Sequence, residues 1–404
     1  MKTEILKNNP QRAAEIITAG GLVAVPTETV YGLAGDGLNA TAVEKIYEVK
    51  GRPAIKPLSL MVPGIEALER YGAEVPPAAV QLAEKYWPGP LTIILKAKPG
   101  IPEIVRAGNA TIGLRCPQHE DTLALLRRLE VPLAAPSANP SGAPSPKNAE
   151  AVMNYFDGEI DAVIDGGQCG LGIESTILDM SAVPYRVLRE GALPASELRE
   201  ALAETVFCIG ITGGTGCGKT TALRILEEMG FLIIDTDEVY HRLLAESRQL
   251  SEELRDAFPS AFTNGSLDRK ALGRLVYQDA DELNRLNHIA HAHVNREVKR
   301  LLADWAEHGG RYAAIDAIAL FESGEDQLCC FTVGILAEDE VRMARIQKRD
   351  HITADYARSR IAAQHPNRWF EENCSLTIEN NGTEAEFAAC CRKLFTEEMN
   401  KWMN

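Results

Sequence analysis

Residues 213–220, Gly-Gly-Thr-Gly-Cys-Gly-Lys-Thr, directly follow an apolar run that ends at Ile211. A glycine-rich loop with this spacing, between a strand and a helix, gathers backbone N–H groups around phosphate oxygens at a helix N-terminus. Its lysine is expected to reach the β- and γ-phosphates and its threonine hydroxyl to bind Mg²⁺. The pattern predicts a nucleotide site formed by Gly213, Gly214, Thr215, Gly216, Cys217, Gly218, Lys219, Thr220 and Thr221.

Two carboxylates follow the next apolar run, Phe231–Ile234, in the segment Asp235-Thr236-Asp237. Carboxylates at the C-terminal end of a strand face the crevice where ligands bind in such sheets. One of them is suited to take a proton from an acceptor hydroxyl, and the other to hold Mg²⁺ through water. The alternative is that an Asp here only caps the following helix.

The first half of the chain carries no phosphate loop, but it places cations and small hydroxyls after successive predicted strands. These are Thr29 in Pro26–Leu33, Lys50 and Arg52, Arg115, Ser137 with Asn139, and Ser175. Together they are suited to bind an anionic ligand. Alone, a Lys-Gly-Arg pair is more often a solvated surface.

The phosphate loop opens near the middle of the 404 residues, so the chain is expected to have two domains, 1–204 and 205–404. Apolar strand-like runs alternate with helical patterns in both halves, which indicates an α/β fold. Predicted strands include Val131–Ala135, and Ser196–Glu204 is predicted to be a helix just before the boundary. By composition alone, Pro136–Pro146 would pass for a linker.

The bulk composition is that of an acidic globular protein, with a net charge of −15. Acidic residues outnumber basic ones in both halves, so neither is a basic nucleic-acid-binding body. The nine cysteines show no C-x-x-C spacing, which favours reduced thiols in the cytoplasm. No apolar signal core or stretch of membrane-spanning length occurs, so no membrane partner is expected.

The second half resembles the dephospho-CoA kinase family from about Phe207 to Asn381. The resemblance is carried by the phosphate loop, Asp235-Thr-Asp237, Leu286–His291, Asp316–Glu322, Arg345-x-x-x-Arg349-Asp350, Gln364 and Asn380-Asn-Gly382. It implies a parallel-sheet kinase domain with a helical lid, which transfers the γ-phosphoryl group of ATP, with Mg²⁺, to the ribose 3′-hydroxyl of dephospho-CoA. The implied catalytic residues are Asp237, Lys219, Arg345 and Arg349, and the implied acceptor contacts are Asp235, Asp237 and His291. The chain departs from the family at Ala292 and in Ile318-Ala-Leu320.

Residues from about 10 to 200 resemble the YrdC-type threonylcarbamoyl-AMP synthase family in its short form. The matching blocks are Pro26–Leu33, Lys50–Pro53, Trp87–Thr92, Arg115–Pro117, Ala135–Asn139, Ser141–Ser145, Glu174–Thr176 and Arg189-x-Gly191. The resemblance implies a twisted-sheet α/β domain that makes threonylcarbamoyl-AMP and pyrophosphate from L-threonine, bicarbonate or CO₂, and ATP. This product serves the threonylcarbamoyladenosine modification of tRNA.

The same resemblance assigns residues to the two substrates of the first half, with Lys50 and Arg52 as its catalytic cations. ATP is expected to contact Lys50, Arg52, Lys56, Thr111, Ser137, Asn139, Ser145 and Arg189, and threonine to contact Thr29, Arg115, Ala135 and Ser175. Lys56 and Met61 stand where the family often has Asn and His, which leaves the selectivity for threonine open. Partner transferase proteins and contact with tRNA or double-stranded RNA are also implied, and a tightly bound organic cofactor is not.

Other classes of function remain open at this stage. The first half could be an RNA-binding module without chemistry, although its acidic balance argues against that. The second half could phosphorylate a nucleoside or nucleotide, because the phosphate loop and the Asp-x-Asp segment do not determine which acceptor is bound. Either half could also be a degenerate scaffold, but every charged site residue is present.

Overall fold

The computed structural model describes residues 2–276 and 279–403. Its chain forms two compact units. The first comprises Met1–Thr205 with Glu307–Gly309, and the second comprises Val206–Ala306 with Gly310–Asn404. Each unit is an α/β body with its own sheet, as the alternation of apolar runs predicts.

The first unit is built on a mixed sheet with the strand order β1-β9-β2-β3-β8-β4-β7-β6-β10-β11, and β5 pairs with β6. The strands are β1 Glu4–Leu6, β2 Val23–Val25, β3 Gly32–Asp36, β4 Ser59–Met61, β5 Gly72–Ala73, β6 Leu91–Ala97, β7 Thr111–Arg115, β8 Leu133–Ala134, β9 Ala162–Ile164, β10 Thr176–Asp179 and β11 Arg186–Arg189. The helices are α1 Pro10–Thr18, α2 Ala40–Lys50, α3 Glu66–Tyr71, α4 Pro77–Tyr86, α5 Glu103–Arg106, α6 Glu120–Leu126, α7 Ala149–Phe156 and α8 Ala195–Glu204.

Residues 136–146 do not form a linker, because backbone hydrogen bonds tie them to the body of the first unit. The Leu33 N–H donates to the Pro136 carbonyl at 2.7 Å, and the Tyr31 N–H donates to the Pro146 carbonyl at 2.9 Å. Composition alone would therefore mislead here, whereas the family blocks Ala135–Asn139 and Ser141–Ser145 assign this segment to the site. The strand before this segment is shorter than the predicted Val131–Ala135, since only Leu133–Ala134 pair. Pro132 lacks the N–H that a longer ladder needs.

The second unit is built on a five-stranded parallel sheet, in the order β13-β16-β12-β17-β18, with a separate β14–β15 hairpin. Its strands are β12 Phe207–Thr212, β13 Leu232–Asp235, β14 Phe262–Thr263, β15 Ser266–Leu267, β16 Tyr312–Asp316, β17 Phe331–Leu336 and β18 Leu376–Glu379. Its helices are α9 Lys219–Glu228, α10 Thr236–Glu246, α11 Arg248–Ala257, α12 Arg269–Val276, α13 Ala280–Glu307, α14 Asp339–Asp350, α15 Ala354–Ala362, α16 Asn367–Asn373 and α17 Glu384–Met403, with 3₁₀ turns at Pro259–Ala261 and Glu325–Leu328.

The apolar face of this parallel sheet is covered by α9 and α17. Ile209 and Val333 of the central strands pack in one buried cluster with Ile225 of α9 and Phe395 of α17. Parallel strands end at a common edge, and β12, β13 and β16 all lead there into polar segments. This edge positions the phosphate loop and the carboxylates that follow it.

Candidate active sites

A cavity of about 190 Å³ opens on one face of the first unit's sheet. The register pairs Ser59 with Gly113 and Met61 with Arg115, and alternation places these residues on the same face. Gly113 leaves room for the Ser59 side chain, because a Cβ there would lie 2.7 Å from the Ser59 Oγ. The lining residues are Val30, Tyr31, Gly32, Arg52, Pro57, Ser59, Met61, Thr92, Arg115, Ala135, Pro136, Ser137, Glu174, Ser175, Ile177 and Arg189.

Three guanidinium groups, of Arg52, Arg115 and Arg189, line this cavity. Arg52 donates to the backbone carbonyls of Lys56 and Pro57, at 3.2 and 3.0 Å. Arg189 Nη2 donates to the backbone carbonyl of Ser175 at 2.8 Å. Within residues 2–276 and 279–403, neither of these two arginines forms an ion pair with a carboxylate within 4.0 Å. Two cations without a salt bridge in the described part of the chain are suited to bind an anion, although Glu174, also in the lining, partly offsets the charge of Arg189.

Arg115 differs from the other two arginines because it is held by a buried partner. Its Nη2 lies 2.7 Å from the Glu28 Oε1, and the exposed fractions of the two side chains are 9% and 10%. It also donates to Thr29 Oγ1 at 2.8 Å and to the Gly89 carbonyl at 3.2 Å. The guanidinium therefore reaches the cavity in a fixed orientation.

Lys50 does not line the cavity in this structure. It is the last residue of α2, which ends at Gly51 in the left-handed conformation with φ 56°. Its buried ammonium group instead donates to the backbone carbonyls of Ser137 and Asn139. Burial, and then the neighbouring Arg52 cation, lower the pKa of Lys50 to about 8. Lys50 thus holds the loop that presents Ser137 to the cavity.

Other predicted residues lie around the cavity rather than in its lining. Asn139 turns its amide into its own loop, where Nδ2 donates to the Ala143 carbonyl at 2.6 Å. Ser145 donates to the Glu174 Oε1 at 2.6 Å, a contact that lowers the pKa of this carboxyl. Lys56 has an exposed side chain, and Thr111 lies at the start of β7, on the same face as Arg115.

Four polar residues of this site were not among the residues predicted from the sequence. Thr92 Oγ1 lies 2.8 Å from Ser175 Oγ, and Ser59 and Glu174 also line the cavity. Glu28, the partner of Arg115, lies just behind it. Glu28, Thr92 and Glu174 belong to blocks that carry the family resemblance, so that signal was available. Ser59 offered no such signal.

The phosphate loop of the second unit has the backbone that its glycines predict. Gly213, Gly216 and Gly218 have φ values of 140°, 83° and 106°, a region that other residues rarely adopt. A Cβ on Gly213 would lie 2.4 Å from the Ile335 carbonyl oxygen. Lys219 begins α9, so the loop leads directly into a helix N-terminus that favours phosphate.

A buried carboxylate, Asp316, lies beside the loop lysine, although it was not predicted as a site residue. The Lys219 Nζ and the Asp316 Oδ1 are 3.7 Å apart. The parallel register places Asp235 directly across from Asp316. Burial is the main reason that the pKa of Asp316 is raised to about 6, and the Lys219 cation opposes this shift. Asp235 itself caps α10 by accepting the Glu238 N–H at 3.0 Å, as the alternative interpretation predicted.

The helices after β17 cover the loop with arginines in different roles. Arg345 Nη1 lies 3.4 Å from the Gly216 carbonyl, and its Nη2 donates to Asn380 Oδ1 at 3.2 Å. Arg349 is instead exposed and pairs with Asp350 at 2.7 Å, away from the loop. The fully buried Arg342, which sequence reasoning missed, donates to the Thr215 carbonyl at 3.0 Å.

Asp237 and His291 line one cavity of about 220 Å³ at the end of the sheet. Asp237 is exposed in the first turn of α10, and His291 lies on the long helix α13. Burial lowers the pKa of His291, so its neutral form is favoured. The other lining residues are Thr236, Tyr240, Leu286, Asn287, Ala290, Val294, Ala317, Ile318, Ala319, Ser323 and Glu325.

In the part of the chain that the structure describes, no helix combines the length and apolar character needed to cross a membrane. The same residues contain no group of three or more His, Cys, Asp and Glu side chains arranged to hold a metal ion.

The chain therefore consists of an α/β unit with a cavity lined by three arginines, followed by an α/β unit with a P-loop for nucleotide binding. Residues 15–191 match the family model of Sua5, YciO and YrdC proteins, described as telomere recombination, and residues 207–386 match that of dephospho-CoA kinase. The chain belongs to both families, to the first through its N-terminal half and to the second through its C-terminal half.

Three relatives represent these matches. A threonylcarbamoyl-AMP synthase of Pyrococcus abyssi is 45% identical over 192 residues, which are 48% of this chain and 56% of the relative. A putative threonylcarbamoyl-AMP synthase of Methanocaldococcus jannaschii is 39% identical, over 45% of this chain and 85% of the relative. A dephospho-CoA kinase of Dehalococcoides mccartyi is 33% identical, over 47% of this chain and 97% of the relative. The chain spans little more than half the length of the first two curated relatives that it matches.

Proposed function

We propose that the chain is a bifunctional enzyme that uses ATP in two separate reactions. The first unit forms threonylcarbamoyl-AMP and pyrophosphate from L-threonine, bicarbonate or CO₂, and ATP. The second unit phosphorylates the 3′-hydroxyl of dephospho-CoA. The observation that carries the proposal is that each unit has its own residues suited to an anion. One has a cavity lined by three arginines, and the other has a phosphate loop whose Lys219 lies 3.7 Å from Asp316.

In the first unit, the threonine amine is carboxylated, and an oxygen of the resulting carbamate attacks the α-phosphorus of ATP. The P–O bond to the β-phosphate breaks, and pyrophosphate leaves with the electron pair. Arg52 and Arg189 form no salt bridge within the described residues, so their charges are available to the phosphates and the leaving pyrophosphate, although Glu174 partly offsets that of Arg189. The oriented Arg115 suits the threonine carboxylate, together with Thr29, Ala135 and Ser175.

Lys50 is assigned a positioning role in this proposal. Its two contacts to the backbone carbonyls of Ser137 and Asn139 fix the loop that carries the Ser137 hydroxyl. Ser145 and Glu174 form a second polar pair at the cavity, at 2.6 Å. Lys56 and Thr111 are assigned to ATP by the family resemblance. Lys56 is exposed next to Pro57 of the lining, and Thr111 begins β7.

In the second unit, the exposed Asp237 accepts the proton of the 3′-hydroxyl as its oxygen attacks the γ-phosphorus and ADP leaves. Proton transfer by such a base contributes about 10²–10⁴-fold to the rate. Lys219 and Arg345 offset the charge on the transferring phosphoryl group, and His291 contacts the acceptor. Arg349 would have to leave Asp350 to join them.

The residues around the loop fit Mg²⁺ bound with ATP. The Asp316 Oδ1 is buried and accepts no hydrogen bond within the described residues, while its ion-pair partner, the Lys219 Nζ, lies 3.7 Å away. A carboxylate oxygen of this kind is a preferred ligand of Mg²⁺ or of its water. Thr220 and Asp316 would hold the ion, with Asp235 next to them on β13. When bound, the ion neutralises charge on the β- and γ-phosphates.

The proposed partners follow from the products. Threonylcarbamoyl-AMP is a reactive intermediate that a separate transferase must pass to tRNA, so contact with such proteins, and with tRNA, is part of the proposal. Both reactions use cytoplasmic substrates, and we therefore propose a cytoplasmic enzyme.

The purified chain tests the proposal when ADP and pyrophosphate are measured in separate mixtures of ATP and Mg²⁺. Dephospho-CoA alone should give ADP and CoA, whereas threonine with bicarbonate alone should give pyrophosphate. Asp237→Asn should lower CoA formation by about 10²–10⁴-fold, and Glu238→Gln, on the next residue, should not. A near-wild-type rate for Asp237→Asn would remove that residue from the role of base.

A further inference from the structure

Glu325 is a buried carboxylate whose presence the fold does not explain. It begins the 3₁₀ turn Glu325–Leu328, and only 2% of its surface is exposed. Its Oε2 accepts a hydrogen bond from Ser323 Oγ at 2.6 Å. Among residues 2–276 and 279–403, it has no ion pair with a cation. Burying a carboxylate without a compensating cation destabilises a fold, so an apolar residue would be more favourable here.

The cavity that this carboxylate lines is the one that contains Asp237 and His291. Burial raises the pKa of Glu325 to about 6, so the group is largely ionised near neutral pH. Beside it, Asn295 donates from Nδ2 to the Ser323 carbonyl at 2.7 Å, and its buried Oδ1 has no partner in the described part of the chain. Asn295 is not in the cavity lining, but it fixes the backbone of Ser323, which lines the cavity together with Glu325.

We infer that Glu325 determines specificity for the acceptor, by accepting a hydrogen bond from a hydroxyl or amino group on its nucleoside end. The inference rests on the proposed kinase function. An ionised carboxylate can only accept hydrogen bonds, so it selects a ligand that offers a donor. Once Asp237 engages the 3′-hydroxyl of dephospho-CoA, the donors left on its adenosine are the 2′-hydroxyl and the 6-amino group.

The inference explains why an unfavourable residue is retained. A site built to hydrogen-bond one group of a substrate rejects analogues that lack it, because its buried polar atoms are then left unpaired. Residues of this kind lower the stability of the free protein and are kept for function. Replacing Glu325 should therefore weaken acceptor binding while it stabilises the fold.

The test compares three acceptors: dephospho-CoA, its 2′-deoxy analogue, and the analogue with a 6-oxo group in place of the 6-amino group. KM and kcat are measured for the wild type and for Glu325→Leu, Glu325→Gln and the matched control Asp326→Asn, which changes the next carboxylate outside the cavity. For the wild type, KM should rise at least about tenfold for the analogue that lacks the contacted donor, the effect of a hydrogen bond to a charged group.

Glu325→Leu should raise the KM for dephospho-CoA by a similar factor and should no longer distinguish it from that analogue. Glu325→Gln, which keeps a carbonyl acceptor, should fall between the two. The KM for ATP and all values for Asp326→Asn should stay within twofold, and the melting temperature of Glu325→Leu should rise.

If Glu325→Gln has the same KM as the wild type for each of the three acceptors, the inference is overturned, even if Glu325→Leu fails to fold. A parallel loss of kcat and of ATP affinity would also overturn it, since that pattern indicates a structural role. If the wild type phosphorylates dephospho-CoA, either result overturns the inference about Glu325 but leaves the proposed kinase function intact. If the wild type does not, the proposed kinase function fails and the inference fails with it.

Discussion

Removing the carboxylate of Glu28 should destabilise the first unit, because this carboxylate is one half of a buried ion pair. The Glu28 Oε1 and the Arg115 Nη2 are 2.7 Å apart, and both side chains are about nine-tenths buried. Truncating one partner of a buried pair typically costs about 3–5 kcal/mol, since the other charge stays buried without compensation. Arg115 keeps two neutral acceptors, Thr29 Oγ1 and the Gly89 carbonyl, so we expect the lower end of that range for Glu28→Ala.

For a unit of this size, each kcal/mol shifts the melting temperature by about 2–4 °C, so a loss of about 3 kcal/mol lowers it by roughly 6–12 °C. Differential scanning calorimetry measures this shift. The matched control is Glu4→Ala, whose carboxylate also lies 2.7 Å from an arginine, Arg12, but in an exposed pair that should contribute little. If Glu28→Ala shifts the melting temperature by less than about 1 °C, or if the two variants give equal shifts, the buried ion pair does not stabilise the first unit as argued.

Three further predictions concern the proposed sites. Lys219→Ala should abolish CoA formation and leave threonine-dependent pyrophosphate release unchanged, and a loss of both activities in a folded variant would contradict separate sites. Arg189→Ala should raise the KM for ATP in pyrophosphate release while CoA formation is unaffected, and an unchanged KM would exclude this arginine from the ATP site. The raised pKa of Asp316, about 6, means that the folded unit binds a proton more tightly than the unfolded chain. This contribution to stability is full below the ordinary value of 3.8 and is lost as the pH rises through about 6. In Asp316→Asn, the free energy of unfolding of the second unit, measured with urea, should therefore fall less steeply between these pH values. The same slope as in the wild type would contradict the assignment of the raised pKa to burial.

Local patterns in the sequence were sufficient to predict the loops, helices and strands whose conformation depends on neighbouring residues. The spacing of Gly213 to Thr220 predicts a loop between β12 and α9, because the glycine conformations and the helix start are local properties. The apolar run Phe231–Ile234 likewise predicts a strand, which the structure contains as β13.

Contacts between distant residues could not be predicted in this way. Pro136–Pro146 has the composition of a linker. The family blocks Ala135–Asn139 and Ser141–Ser145 indicated otherwise, but its hydrogen bonds to Tyr31 and Leu33, about a hundred residues earlier, are seen only in the structure. Arg342 reaches Thr215 across 127 residues, and nothing in the pattern of α14 distinguishes it from the exposed Arg349 on the same helix. Lys50 has the residue type of a phosphate ligand. In the structure its buried ammonium group donates to the backbone carbonyls of Ser137 and Asn139, which the sequence could not indicate.

The central claim is that one chain cleaves ATP at two different phosphorus atoms in two different units. The most direct measurement supplies the purified chain with threonine, bicarbonate and dephospho-CoA together, once with ATP labelled at the γ-phosphate and once with ATP labelled at the α-phosphate. The account predicts that the γ-label appears in CoA and the α-label in an adenylate that also contains threonine, and that Lys219→Ala removes only the first product. If the α-label stays entirely in ADP, or the γ-label never reaches CoA, the corresponding half of the account is wrong.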